Sequence, residues 1–216
     1  MKRLIVFASG AKSGGGSGFQ NLVEGSRTGI LNARIVAVVS NYAEGGVRER
    51  AEKLGVPFVH FSGPWRAEKY KKIVQEHNAE WVALSGWLKL VRGLDPTRTI
   101  NIHPGPLPRF GGKNMYGHHV HEAVMGAYRR GELTHSAVSM HFVTGEYDTG
   151  PIIFLYPVTI REDDTADTLA QRVRAVEYSF QPWITNLVVQ GEIRWDGKSP
   201  STRIVPSWYH FHEPLR

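Results

Sequence analysis

The chain predicts an α/β fold: a single domain on a doubly wound, mostly parallel sheet, with an antiparallel strand pair in its C-terminal half. Three features of the 216 residues carry that expectation. Short β-branched runs alternate with helical periodicity through the first half. A glycine-rich loop stands directly behind the first strand. Two longer strands around a tight turn then precede one long helix.

Leu4 to Ala8, after Met1-Lys2-Arg3, reads as the first strand. The run is too short for a signal peptide and has no small-residue cleavage site. Ser9 to Gly18 is a glycine-rich loop opening into a helix near Phe19. Ala33 to Val39 is the second strand, Gly46 to Leu54 a helix closed by Gly55, Pro57 to Phe61 the third strand and Arg66 to His77 a helix. Trp81 to Ser85 is a buried strand followed by the turn Gly86 to Lys89. Thr99 to Ile102 is the next strand, stopped by Pro104, Pro106 and Pro108 because proline lacks the ladder N–H. Gly117 to Arg130 is helical, and Ser136 to Val143 and Pro151 to Thr159 are strands around a turn at Gly145 to Gly150. From Thr165 a helix presents Leu169, Val173, Val176 and Phe180 on one stripe. Pro182 is expected to kink or break it before the apolar run ends near Gln190. Residues 1–197 are read as the domain and 198–216 as an irregular extension, either packed by Trp208 and Tyr209 or not packed.

With 41% hydrophobic and 21% charged residues and no low-complexity tract, the composition is globular. There is no cysteine, so disulfides and thiolate metal sites are excluded and a reducing, cytoplasmic setting is expected. No apolar run approaches the roughly 20 residues that span a bilayer, so no membrane role is expected. The net charge of +6 is spread among acids such as Glu49, Glu52 and Glu68. That pattern argues against a nucleic-acid partner and leaves attraction of an anionic small substrate as the next use.

Period-2 alternation puts Asn101 and His103 on one face at a strand's carboxyl end, where open α/β sheets bind ligands. Taken alone, His103 could simply bond a loop carbonyl. The loop Gly10 to Gly18 fails the Walker A test, which wants glycine where Val6 and Ala11 stand, and the dinucleotide fingerprint, which wants glycine at Phe19. Close backbone approach and helix N-terminal N–H groups remain, and both suit phosphate. The loop is expected to be mobile without ligand and to order on phosphate. Asp148 is either a turn-former or, if folding brings it to His103, a carboxylate that keeps the imidazole protonated near neutral pH. His118 and His121 have metal-pair spacing but no third ligand beyond Glu122, so no metal is expected. His141 reads as an internally satisfied strand histidine.

These pieces together resemble the glycinamide ribonucleotide (phosphoribosylglycinamide) formyltransferases, within the group that uses 10-formyltetrahydrofolate. Asn101-x-His103 before the proline-bounded loop, Leu107-Pro108, Asp148 in its glycine-flanked turn and Gly150-Pro151-Ile152-Ile153 carry the resemblance, which extends over residues 3–195. It implies a Rossmann-like formyltransferase fold. The implied reaction moves a formyl group from 10-formyltetrahydrofolate to the amine of glycinamide ribonucleotide in de novo purine synthesis, with no metal and no covalent intermediate. Asn101 and a protonated His103 would stabilise the oxyanion, and Asp148 would raise the His103 pKa and relay a proton. Gly16-Ser17-Gly18 stands where the family binds the substrate phosphate through Gly-Ser-Asn; here the loop is longer and Gly18 replaces the Asn. Leu88, Lys89, Leu90 and Val91 match the folate-binding segment, to which Asn101 adds a contact; arginine is common where Lys89 stands. Glu177 resembles the acid that contacts glycinamide ribonucleotide, and Gly111 to His118 resembles a variant within one branch.

A deformylase of the folate and an amino-sugar formyltransferase are the neighbouring alternatives. The deformylase needs no phosphate loop and usually carries an N-terminal domain. A transfer-RNA formyltransferase needs a C-terminal domain for which 216 residues leave no room. A non-catalytic nucleotide-binding module, the reading from a different class, gives no reason for Asn101, His103 and Asp148 to occur together. The sequence does not set the oligomeric state.

Overall fold

A computed structural model describes residues 1–10 and 14–211. Seven strands form one sheet: β1 (Lys2–Phe7), β2 (Ala33–Ser40), β3 (Phe58–His60), β4 (Trp81–Ser85), β5 (Thr99–His103), β6 (His135–Phe142) and β7 (Ile152–Thr159). Their order is β3-β2-β1-β4-β5-β6-β7, parallel from β3 through β5 and antiparallel from β5 through β7. The expected mixed sheet is what the chain builds. The β-branched and aromatic side chains of β1 explain its central place. Leu4 and Val6 point to one face, among Phe19, Leu22, Ile184 and Val188, while Ile5 and Phe7 point to the other, among Phe61, Tyr70 and Trp87. A central parallel strand covered on both faces needs this continuous apolar run.

Helices α1 (Ser17–Thr28), α2 (Gly46–Leu54), α4 (His118–Arg129) and α5 (Ala166–Val189) send apolar side chains into the first cluster, and α3 (Ala67–Glu76) sends Tyr70 into the second. The strand order reverses between β1 and β4, and the backbones leaving these strands meet there, with the Ser9 N–H donating to the Gly86 carbonyl at 2.9 Å. Such a switch point leaves a crevice at the carboxyl ends of the strands.

One expectation is corrected. Pro182 does not break the last helix, because α5 runs through it from Ala166 to Val189. Proline at 182 removes the N–H that would bond the Tyr178 carbonyl four residues back. Asn21 on α1 supplies the missing donor, its Nδ2 lying 2.9 Å from the Tyr178 oxygen. Gly25, also on α1, leaves room for the ring: a Cβ there would come within 2.5 Å of the Pro182 Cβ.

The N-terminus of α5 is fixed by a capping box between Thr165 and Thr168, and by Asp164 just before it. The nearly buried Asp164 carboxylate accepts two hydrogen bonds from Arg172, at 2.7 and 2.8 Å, one from Thr168 and one from the Arg161 N–H. The Arg172 bonds, foremost, hold its pKa well below the usual carboxylate range. Asp164→Asn is therefore expected to destabilise the fold by about 1.5–3 kcal/mol in denaturant titrations near pH 7. A depressed acid stabilises above its unfolded pKa, here 3.8, and loses that contribution as pH falls toward the folded value. The difference between wild type and variant should accordingly shrink below pH 3.8.

The C-terminal segment is packed as far as residue 211. Tyr209 is buried and its hydroxyl donates to the Ile153 carbonyl at 2.6 Å, while the half-exposed Trp208 lies 6.3 Å from the Trp183 ring. Residues 212–216 of the expected extension lie outside the described residues.

Candidate active site

The carboxyl ends of β1, β4 and β5 open onto a cavity of about 890 Å³. Asn101, His103 and Asp148 line it together. β5 delivers Asn101 and His103 from one face, as its alternation dictates. Asp148 comes from the β6–β7 turn, where it adopts φ 56°, a left-handed conformation that aspartate tolerates better than most residues.

His103 is buried at 3% exposure. Its Nε2 lies 2.7 Å from the Phe110 carbonyl, which only accepts, so Nε2 carries the hydrogen and Nδ1 the lone pair. Nδ1 lies 3.8 Å from Asp148 Oδ2. Burial pulls the His103 pKa below its usual value, and Asp148 and the Phe110 carbonyl only partly offset this. This runs opposite to the effect expected of Asp148 alone. Desolvation of the charged ring outweighs an aspartate that is close but not hydrogen-bonded to it.

Burial alone would raise the Asp148 pKa, but its polar contacts, among them the Gly112 N–H at 2.9 Å, hold it below the usual range. Asp148 is thus an anion under a neutral imidazole.

His141, set aside in the sequence as internally satisfied, belongs to this cluster. Its Nδ1 donates to the Phe142 carbonyl at 2.7 Å, which leaves Nε2 to accept from Asn101 Nδ2 at 3.0 Å. The second Asn101 hydrogen goes to Asp148 Oδ1 at 3.3 Å. Both amide hydrogens of Asn101 are therefore held inside the protein, and the amide orientation follows from its two acceptors. The signal for His141 is the register: it sits directly opposite Asn101 across the antiparallel β5–β6 pair. A single strand read in isolation does not reveal that pairing.

Gly16, Ser17 and Gly18 line the cavity at the N-terminus of α1, with Gly16 at the cap position. Ala11 to Ser13 of the same loop lie outside the described residues. Arg50 on α2 supports this end from behind, donating to the Gly15 carbonyl at 2.6 Å and to Gln20 Oε1 at 3.0 Å. Glu177 on α5 lines the cavity near Arg174. Desolvation pushes its pKa up to about 7 against the opposing charge of Arg174. His121 also lines the cavity, buried, with no partner for Nδ1 among the described residues; burial foremost pulls its pKa down to about 4. His118 faces Glu122 at 3.6 Å and Asp167 at 3.5 Å.

Of the predicted folate segment, Leu88 lines the cavity with Gly86 and Trp87. Lys89, Leu90 and Val91 do not: Lys89 Nζ sits 5.6 Å from the Trp65 ring, Val91 is buried in the aromatic cluster, and the Leu90 carbonyl accepts from the Tyr70 hydroxyl at 3.2 Å.

With this geometry in place, the chain can be compared with known proteins. The model of the formyl transferase family, described as "Formyl transferase", matches residues 2–185. A phosphoribosylglycinamide formyltransferase, chloroplastic, from Arabidopsis thaliana is 34% identical over 90% of this chain and 68% of its own length. The chain belongs to the phosphoribosylglycinamide formyltransferases.

A second enzyme of that family and name, from Vigna unguiculata, is 33% identical over 90% of this chain, which spans 63% of the relative's length. The crystal structure of a glycinamide ribonucleotide transformylase from Symbiobacterium toebii matches with a TM-score of 0.80 at 31% identity, covering 95% of both chains. The chain thus has the formyltransferase fold, and the cavity lies at the switch point of its sheet.

Proposed function

We propose that the chain transfers a formyl group from 10-formyltetrahydrofolate to the primary amine of glycinamide ribonucleotide, in purine biosynthesis. The observation that carries this reading is the meeting of Asn101, His103 and Asp148 in one cavity that the α1 N-terminus at Gly16–Gly18 and the Gly86–Leu88 turn also line. The phosphate of the acceptor would sit at the helix end and the folate at the turn, which brings amine and formyl carbon to the three residues. A cytoplasmic setting goes with the proposal. Among the described residues no helix is long and apolar enough to cross a membrane.

The chemistry follows from the protonation states. The amine attacks the formyl carbon, forming the new C–N bond and a tetrahedral oxyanion. Neutral His103 offers the lone pair of Nδ1, so it takes the proton the amine sheds. The imidazolium that results lies 3.8 Å from the Asp148 carboxylate, which stabilises it. His103 then returns the proton to the leaving folate nitrogen as that C–N bond breaks. The longer Asn101 bond, 3.3 Å to Asp148, is the one that can turn toward the oxyanion. The step as written uses no metal and no covalent intermediate.

Glu177 supplies a pH signature. Its carboxyl, with a pKa of about 7, becomes an anionic acceptor as pH rises through that value. If it contacts the acceptor, the acceptor KM falls between pH 6 and 8, flanking that value. Glu177→Gln should flatten this dependence and raise the KM about tenfold at the alkaline end, the loss of one charged hydrogen bond. An unchanged profile would remove Glu177 from the site. The acceptor itself is tested by comparing kcat/KM for glycinamide ribonucleotide with that for an amino-sugar nucleotide. The proposal expects the former to be higher by at least about a hundredfold, the scale set by a site built for one polar substrate. The reverse order would reassign the acceptor.

A further inference from the structure

Gly18 leaves the first turn of α1 without a side chain where the cavity begins, and the structure shows what fills that space. A Cβ at position 18 would lie 2.1 Å from Ser85 Oγ and 3.2 Å from Gln181 Oε1. Ser85 is the last residue of β4, and Gln181 projects from α5 just before Pro182. Both line the cavity, at 8% and 2% exposure. Gln181 Nε2 donates to Ser85 Oγ at 3.1 Å. That bond uses an acceptor lone pair of the hydroxyl and fixes the oxygen, leaving its hydrogen free to donate. Among the described residues, neither that hydrogen nor Gln181 Oε1 has a partner.

The two residues are more than nine-tenths buried, yet both line the cavity, so their free polar atoms are open to a ligand there. Alanine at 85 with an apolar residue at 181 would fill similar space with no loose polar atom. The pair stands against the first turn of α1, whose Ser17, Gly18 and Phe19 N–H groups face no helical partner. We propose that Ser85, aimed by Gln181, donates a hydrogen bond to the anionic group of the acceptor at the α1 N-terminus, and that Gly18 is the residue that makes room for it. The inference rests on the acceptor reading above for its substrate, a phosphorylated amine. Ser85 is the contacting residue and Gln181 the positioning one.

The test compares wild type, Ser85→Ala, Gly18→Asn and the double variant. Steady-state KM is measured for the amine and for 10-formyltetrahydrofolate separately, and the Kd for inorganic phosphate by titration calorimetry. Ser85→Ala should raise the acceptor KM and the phosphate Kd about five- to tenfold, the loss of one hydrogen bond, and move the folate KM less than about twofold. Gly18→Asn alone collides with Ser85 and should weaken both more strongly. In the double variant the collision is relieved and an amide stands beside the anion, so acceptor KM should recover relative to Gly18→Asn. Unchanged acceptor KM and phosphate Kd in Ser85→Ala, or equal shifts for acceptor and folate, would overturn the proposal. Wild type that fails to formylate the amine while Ser85→Ala still weakens phosphate binding would refute the acceptor assignment and keep the pair as an anion site.

Discussion

His103→Ala is expected to lower kcat for formyl transfer by about 10²–10⁴-fold, the usual worth of a positioned acid–base group. In the proposed mechanism the ring takes the amine's proton at Nδ1, since Nε2 is committed to the Phe110 carbonyl. The acid limb of the kcat/KM profile should also disappear. As the base of the proposed mechanism, His103 acts in its neutral form, so wild-type activity should fall as pH drops through its pKa, which burial places below the usual 6.5. Substrate KM values close to wild type would show that the cavity survives. A variant that keeps its limb and most of its kcat would assign proton transfer elsewhere.

Asp148→Asn is expected to cost about 10²–10³-fold in kcat, on the scale of losing one preorganised electrostatic contact to the transition state. Asparagine is well suited as a test because it tolerates the φ of 56° that the turn requires. The change removes the anion beside His103 and an acceptor that orients Asn101. Asp148 raises the His103 pKa against burial, so its removal lowers that pKa further. The sign is then fixed: the residual acid limb should move to lower pH than in wild type. A limb that moves to higher pH would contradict the charge relation between the two groups.

The fold was legible because its elements are local. Alternation in the Thr99–His103 strand, the glycine closing α2 and the apolar stripe of α5 are each written within a few residues. Pro182 shows where this ends, since the donor that keeps α5 whole is Asn21, distant in sequence and adjacent in space. The site divides the same way. Asn101, His103 and Asp148 could be read from strand, proline and turn signals. His141 could not, because its role depends on the β5–β6 register. At His103 the sequence shows a carboxylate partner but not the burial that opposes it. The contacts of Lys89 with Trp65, of the Leu90 carbonyl with Tyr70 and of Val91 with the aromatic cluster were likewise not visible in the local sequence.

The central claim is that the protein moves the formyl group to an amine rather than to water. The most direct measurement is tetrahydrofolate release from 10-formyltetrahydrofolate, with and without glycinamide ribonucleotide. Release that requires the acceptor, in one-to-one proportion with formylated product, is the predicted result. Release at the same rate without the acceptor would contradict the account and make the protein a deformylase.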